Sequence, residues 1–233
     1  MPRLPEIQRL HLADVTLPEG HPLAGQACAV DAFVIRHPKG PVLVDTGVGG
    51  DHPGIERLYR PVRRPLTHAL AEIELRPADI VAVINTHLHF DHCGENQLFP
   101  DTPIFVQRRE HEAAQEPLYT IRSWVDFPGA KFELIEGEAE VLPGLSIIPT
   151  PGHTTGHQSV LIESGEGRVI IAGQAAYTAQ EFAGAAKADA EVSSGEWDAE
   201  EYEKSLSQLR DLAPIRVYFS HDATVWEAAA AGI

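Results

Sequence analysis

Cysteine is scarce in this 233-residue chain: Cys28 and Cys93 are its two. That is too few for a disulfide framework and in keeping with a reducing compartment. Positive charge is scarce as well, with 18 Lys and Arg against 34 Asp and Glu, a formal net charge of -16. Such a balance repels phosphate backbones and anionic lipid, so neither nucleic acid nor a membrane is an expected partner. No stretch approaches the roughly 18 uninterrupted apolar residues of a membrane-spanning helix. The opening MPRLPEIQRLHLADV lacks the basic-then-apolar pattern of a secretory signal, and a cytoplasmic protein is expected. Repeats, low-complexity tracts and Gly/Ser linkers are absent too, so nothing marks a boundary and residues 1–233 are expected to form a single domain. What stands out against these absences is histidine, of which there are twelve.

Short apolar runs closed by Gly, Pro or charge recur along the chain. Ala29–Ile35 and Val42–Asp45 flank His37-Pro38-Lys39-Gly40-Pro41 and read as a hairpin, rich in β-branched residues and joined by turn chemistry. Further strands are expected at Ile80–Ile84, Ile104–Val106, Phe132–Ile135, Leu145–Ile148, Ser159–Ile162, Val169–Ala172 and Val217–Ser220. Leu66, Leu70 and Ile73 recur at helical spacing, with Thr67 near the start and Arg76-Pro77 as the stop. Arg108–Gln115 and Glu200–Leu212 read as two more helices, the latter with a Tyr202, Leu206, Leu209 stripe. Many strands with interspersed helices suggest two packed sheets covered by helices. Val48–Pro65 and Tyr119–Phe127 read as long loops, and Arg57–Arg64 as a basic island in an acidic chain.

The chemistry concentrates at Asn85-Thr86-His87-Leu88-His89-Phe90-Asp91-His92-Cys93-Gly94, directly after the apolar run Val81–Ile84. His-x-His-x-Asp-His puts four nitrogen and oxygen ligands within six residues, a donor set suited to zinc and comparable ions. In an extended segment His87 and His89 point the same way, while Asp91 and His92 aim at a neighbouring point as the chain turns into a helix. Two metals about 3.5–4 Å apart would then be held by one loop. His153, in Pro149-Thr150-Pro151-Gly152-His153-Thr154-Thr155-Gly156-His157, and His221, after Val217–Ser220, are further strand-end candidates. Cys93 reads as a small buried residue and His157 as a turn or core histidine. His11, His21, His37, His52, His68 and His111 read as turn or helix-face residues without a role.

These motifs resemble the metallo-β-lactamase superfamily and, within it, the N-acyl-homoserine lactonase group. The likeness rests on His-Leu-His-Phe-Asp-His at 87–92, Pro-Gly-His-Thr-Thr-Gly-His-Gln-Ser at 151–159, Ala-Tyr-Thr at 176–178, Ser-His-Asp at 220–222 and Asp45-Thr46-Gly47. It spans roughly residues 28–225 in the expected order. The resemblance implies an α/β fold, the αββα sandwich of two mixed β-sheets flanked by helices, in a single hydrolase domain over 1–233. It assigns His87, His89 and His153 to one divalent ion and Asp91, His92 and His221 to a second, zinc being the expected metal. Asp45 would support a ligating imidazole. A carboxylate bridging both ions is also implied, and here the chain departs from the pattern, because Gly173 is followed by Gln174. Glutamine offers one neutral oxygen where aspartate offers a charge and two oxygens, so the second ion is expected to bind weakly or not at all.

By the same resemblance the protein is a quorum-quenching lactonase: metal-activated water attacks the ester carbonyl of a lactone, N-acyl-homoserine lactones foremost. Tyr177 would donate to the developing oxyanion, and Asp91 would protonate the leaving alkoxide. Tyr119, Trp124 and Phe127 suit an acyl chain or a dimer contact, and a monomer or homodimer is compatible with the sequence. Two rivals remain. One is another ester or thioester hydrolase, glyoxalase II-like, which would use the basic island for an anionic thiol carrier but normally adds a C-terminal domain; Asp222–Ile233 alone follow the last ligand. The other is a catalytically silent metal-binding relative with Gln174 as the lesion.

Overall fold

The computed structural model describes residues 4–21, 23–185 and 197–229. It divides into two compact units, one spanning Pro5–Glu136 and the other formed chiefly by the residues from Gly137 onward. No helix among the described residues is long and apolar enough to cross a membrane.

The first unit is built on a seven-stranded mixed sheet. Its strands are β1 (Ile7–Thr16), β2 (Ala27–His37), β3 (Gly40–Val44), β4 (Val62–Arg63), β5 (Ala82–Ile84), β6 (Pro103–Gln107) and β7 (Lys131–Ile135), in the spatial order β4-β1-β2-β3-β5-β6-β7. The expected hairpin is β2–β3, with Phe33 opposite Val44 and His37 opposite Gly40. Every residue from Val30 to Ile35 is buried, which explains a run of apolar residues without alternation in a strand covered on both faces. From β3 to β7 all neighbours are parallel, so their C-terminal ends share one edge. Leu10, Val34, Leu43, Val83 and Ile104 pack with Leu66 and Leu70 of α2 (Leu66–Glu72) in one apolar core.

The second unit carries a six-stranded sheet of β8 (Ala139–Leu142), β9 (Leu145–Pro149), β10 (Gln158–Ser164), β11 (Gly167–Ile171), β12 (Arg216–Tyr218) and β13 (Trp226–Glu227), ordered β13-β12-β11-β10-β9-β8. The pair β11–β12 is parallel, with Ile171 opposite Tyr218; β10 is antiparallel to β9 and β11. The start of β10 and the ends of β9, β11 and β12 therefore lie at one edge. Helix α6 (Ala199–Asp211) buries the expected Tyr202, Leu206, Leu209 stripe, and Asp198 caps it by accepting the N–H groups of Glu200 and Glu201.

Several expectations are corrected. The stretch Val48–Pro65 is not a plain loop: it holds α1 (Pro53–Tyr59) and β4. Tyr119–Phe127 contains α4 (Arg122–Val125), with Trp124 and Phe127 buried in cores rather than free to form a pocket wall. Helix α2 is not capped by Thr67; Glu95 Oε2 accepts the Leu66 N–H at 2.8 Å, and the helix ends at Glu72, before a left-handed Glu74 and well ahead of Arg76-Pro77. α3 (Arg108–Ala113) is slightly shorter than expected. β1, β4, β8 and β13 had no counterpart in the sequence reading. His11 belongs to β1, not to a turn or helix, and sits opposite Asp31 of β2.

Two measurements check this packing. Leu43→Ala, at a fully buried position, is expected to cost about 2–5 kcal/mol in urea unfolding. Burial lowers the His11 pKa, but its hydrogen bonds with Asp31 (3.0 Å) and Asp14 (3.3 Å) outweigh that and hold it above the ordinary 6.5. A raised histidine pKa stabilises fully below the unfolded value and is lost as pH rises through the folded one. The stability difference between wild type and His11→Gln should therefore be largest below pH 6.5 and shrink as pH rises above it.

Candidate metal centre

The ligand loop of the first unit leaves β5 as a series of turns, not as the extended segment and helix expected from sequence; the N–H groups of His92 and Cys93 both donate to the His89 carbonyl. The His87 ring nevertheless lies against both His89 (centroids 4.6 Å) and His92 (4.0 Å). This crowding is organised by Asp45, at the end of the adjacent parallel strand β3. The Asp45 carboxylate is buried. Oδ1 accepts the Thr86 N–H at 2.7 Å, and Oδ2 accepts the Thr86 hydroxyl at 2.8 Å and His92 Nδ1 at 2.9 Å. A proton held on His92 Nδ1 leaves Nε2 as its ligand atom. Because Thr86 spends its hydrogen on Asp45, its oxygen accepts from His87 Nδ1 at 3.1 Å, which makes Nε2 the ligand atom of His87 as well. One carboxylate thus sets the tautomer of two candidate ligands, one directly and one through a hydroxyl.

The backbone of the loop is fastened independently. The His92 carbonyl accepts from the Thr46 N–H (2.8 Å), the Thr46 hydroxyl (3.2 Å) and Asn85 Nδ2 (3.2 Å), and Asn96 ties Asn85 and Thr46 together. Gly94 donates to the Gly47 carbonyl, and a Cβ on Gly94 would sit 1.9 Å from Gly49 N. Glu110 of α3, fully buried, accepts the Leu88 N–H between His87 and His89 at 2.7 Å and also the Tyr119 hydroxyl. Cys93 is the inert buried residue expected: burial pushes its thiol up to about 12, and it donates to the Leu88 carbonyl.

In the second unit, Gln174 and His221 each lie three residues beyond the paired Ile171 and Tyr218 of parallel strands, so they leave the sheet side by side. His153 sits in the β9–β10 connection at the same edge. Tyr177 Oη lies 2.9 Å from His153 Nδ1, and the Tyr177 ring stacks on His221 with centroids 6.2 Å apart. His157 is fully buried with both nitrogens engaged: Nε2 accepts the Gln174 N–H at 3.0 Å, and Nδ1 faces Thr150 Oγ1 at 2.8 Å. It is a turn-holding histidine, as expected.

Two sets of side chains have the composition and proximity to hold an ion: His87, His89 and His153, and Asp91, His92 and His221. Within each set one ligand atom per residue lies within 4.8 Å of the others. Three imidazoles in one set, and two with a carboxylate in the other, match what a divalent transition metal takes. Gln174 Oε1 and Ser220 Oγ, both buried, have no hydrogen-bond partner among the described residues. An acceptor stranded in this way next to His221 is costly unless something electropositive meets it. The residues present fit a metal.

Thr86, Asn85, Asn96, Glu110 and Asp222, whose Oδ2 accepts the Ala179 N–H, take part in this scaffold without having been singled out from sequence. Each is a polar residue of a type that many surface positions share. Asp45→Asn puts an amide where two acceptor roles are needed and should weaken metal affinity roughly 10–100-fold while the fold persists. Competition against a chromophoric chelator, alongside circular dichroism, measures both.

The metallo-beta-lactamase superfamily profile matches residues 25–221. An N-acyl homoserine lactonase from a Bacillus species is 34% identical over 207 residues, 82% of this chain and 80% of the relative. A second from Bacillus cereus is 33% identical over the same shares. Among solved structures, a quorum-quenching N-acyl homoserine lactone hydrolase superposes with a TM-score of 0.78 at 28% identity, covering 95% of this chain and 93% of its own. A structure of such a hydrolase with the product N-hexanoyl-L-homoserine at its catalytic metal centre gives the same TM-score and identity, over 95% and 94%. The two mixed sheets with their helices are the α/β sandwich of those structures. With the profile matched over most of its length, the chain belongs to the metallo-beta-lactamase superfamily.

Proposed function

We propose that this protein is a metal-dependent lactonase that opens the ring of N-acyl-homoserine lactones. The observation that carries the reading is the pair of ligand sets, His87/His89/His153 and Asp91/His92/His221, in a chain that resembles N-acyl homoserine lactonases over four-fifths of its length. The two sets would hold two divalent ions, zinc by donor chemistry. Bound there, the ions would supply Lewis acidity, polarising the ester carbonyl and lowering the pKa of a coordinated water to about 7.

The chain's own groups divide the remaining work. Were His153 to hold an ion through Nε2, its proton would sit on Nδ1, which would donate to Tyr177 Oη 2.9 Å away. The Tyr177 hydroxyl would then donate to the carbonyl oxygen as negative charge develops on it. Asp91, whose side chain keeps 12% exposure, would take up the proton given up by the attacking water and pass it to the departing alkoxide, completing ring opening to the hydroxy acid. Phe90, tilted against Tyr59 with centroids 4.3 Å apart, offers apolar surface at the ligand loop for an acyl chain. Gln174 would contribute its stranded Oε1 as a neutral donor, which makes the ion at Asp91, His92 and His221 the weaker of the two.

The thioesterase reading loses its main support in the basic stretch, because Arg63 pairs with Glu56 and Arg64 with Glu72. That leaves less free charge for an anionic carrier. The proposal extends to a single hydrolase domain over residues 1–233, acting in the cytoplasm as a monomer or homodimer. Two free cysteines and the net charge of -16 support that setting.

Metal analysis of protein purified without chelator, run beside hydrolysis of a short-chain and a long-chain acyl-homoserine lactone, tests the reading. Close to two ions per chain is expected, one dissociating first on dilution, with turnover of both lactones. Gln174→Asp should tighten the weaker ion. One ion or none, without turnover, would overturn the lactonase reading and favour the silent relative.

A further inference from the structure

Glu181 is an unusual residue to find 3% exposed. It lies in α5 (Ala179–Phe182), the short helix that follows Tyr177, and among the described residues its carboxylate meets no cation. Oε2 accepts the Tyr177 backbone N–H at 2.6 Å, and Oε1 accepts the Tyr202 hydroxyl of α6 at 2.6 Å. Burial raises the carboxyl pKa above its ordinary value, so a charged form there is held at a cost. A short helix in an unremarkable turn needs no such residue, since Thr178 already caps α5 by accepting the Glu181 N–H.

The surroundings show what the carboxylate is fastened to. Arg210 of α6 donates to the Glu181 and Phe182 carbonyls at 2.7 and 2.8 Å. The same helix grips the loop that carries His153. Ser205 donates to the Pro151 carbonyl at 2.7 Å, and a Cβ on Gly152 would lie 2.4 Å from the Tyr202 backbone. Tyr202 therefore stands under two segments at once, the one bearing His153 and the one bearing Tyr177. Glu181 is the link between Tyr202 and the second of these.

We propose that Glu181 is a positioning residue that acts through Tyr177, holding its backbone so that the phenol stays in register with His153, with Tyr202 as the buttress. This rests on the reading of Tyr177 as the hydrogen-bond donor to the reacting carbonyl. Glu181 touches neither substrate nor ion. Its carboxylate fixes the Tyr177 main chain, and the ring, with its hydroxyl 2.9 Å from His153 and its face against His221, follows. Misplacing a catalytic group by about 1 Å costs on the order of 100-fold in rate.

The test is a double-mutant cycle on the metal-loaded enzyme with N-acyl-homoserine lactone substrate, joined to a measurement on metal-free protein. Tyr177→Phe should lower kcat roughly 100-fold or more. Glu181→Ala should lower kcat by about 10–100-fold with little change in KM or metal content. Glu181→Gln, which still accepts from the Tyr177 N–H, should recover most of that loss. Adding Glu181→Ala to Tyr177→Phe should cost nothing further. Separately, in metal-free protein carrying ¹³Cζ-labelled tyrosine, the resonance among the five tyrosines that Tyr177→Phe removes should shift in Glu181→Ala and return in Glu181→Gln. Should Glu181→Ala fail to fold, Tyr202→Phe removes the buttress alone and should show the same pattern more weakly. Equal losses from Glu181→Ala in both backgrounds, or loss through metal release, would overturn the proposal and leave the Tyr177 reading intact. No loss from Tyr177→Phe would overturn both.

Discussion

A single buried carboxylate governs the ligand loop. Asp45 occupies a left-handed backbone position, φ 62°, at the end of β3, a conformation that asparagine and aspartate tolerate better than larger side chains do. From there it accepts three hydrogen bonds, from the Thr86 N–H, the Thr86 hydroxyl and the His92 ring. Remove it and the neighbouring donors lose their acceptor in a buried space. His87 and His92 also lose the cue that puts their protons on the far side of the ring from a metal. The parallel pairing of β3 with β5 brings this residue opposite the ligand loop, so the sheet register delivers the contact that orients the rings.

The second unit solves the same problem with different means. Two parallel strands end together and release Gln174 and His221 at equal offsets, while a hairpin connection supplies His153. Here the buried carboxylate is Glu181, and what it fixes is main chain, not a ring proton. In both units an acid sits one step behind the groups that would meet metal or substrate, where a low dielectric strengthens its hydrogen bonds and makes their loss costly. His157, by contrast, spends both nitrogens on the turn it occupies.

Much of this was legible beforehand. His87, His89, Asp91, His92, His153 and His221 are recognisable because they cluster in motifs that close apolar runs, and they fall into two groups whose nitrogen and oxygen atoms lie close together. Central strands were readable where burial on both faces made the run continuous, as in β2. Edge strands were not: β4 and β13 have two residues each, too short for any period to register. β1 was overlooked because Arg9 and His11 interrupt its apolar residues, and a register shift between His11 and Ala13 disturbs its alternation. Trp124 and Phe127 looked like a pocket wall because sequence does not distinguish an aromatic in a loop from one in a core. The supporting acids Glu110 and Glu181 were hidden for a different reason. A glutamate in a charged helical stretch reads as solvated until long-range packing buries it.

The close approach of Gly94 to Gly49 and the triple hold on the His92 carbonyl mean that the path of the ligand loop is written in main-chain bonds and in residues that are not themselves ligands. Frame and reagent are thereby separable. The donor atoms projecting from this frame can be exchanged, one imidazole for a thiolate or a carboxylate, without dismantling what carries them. A lineage, or a laboratory selection, can explore metal preference by substitution at a few side chains, glutamine at 174 among them.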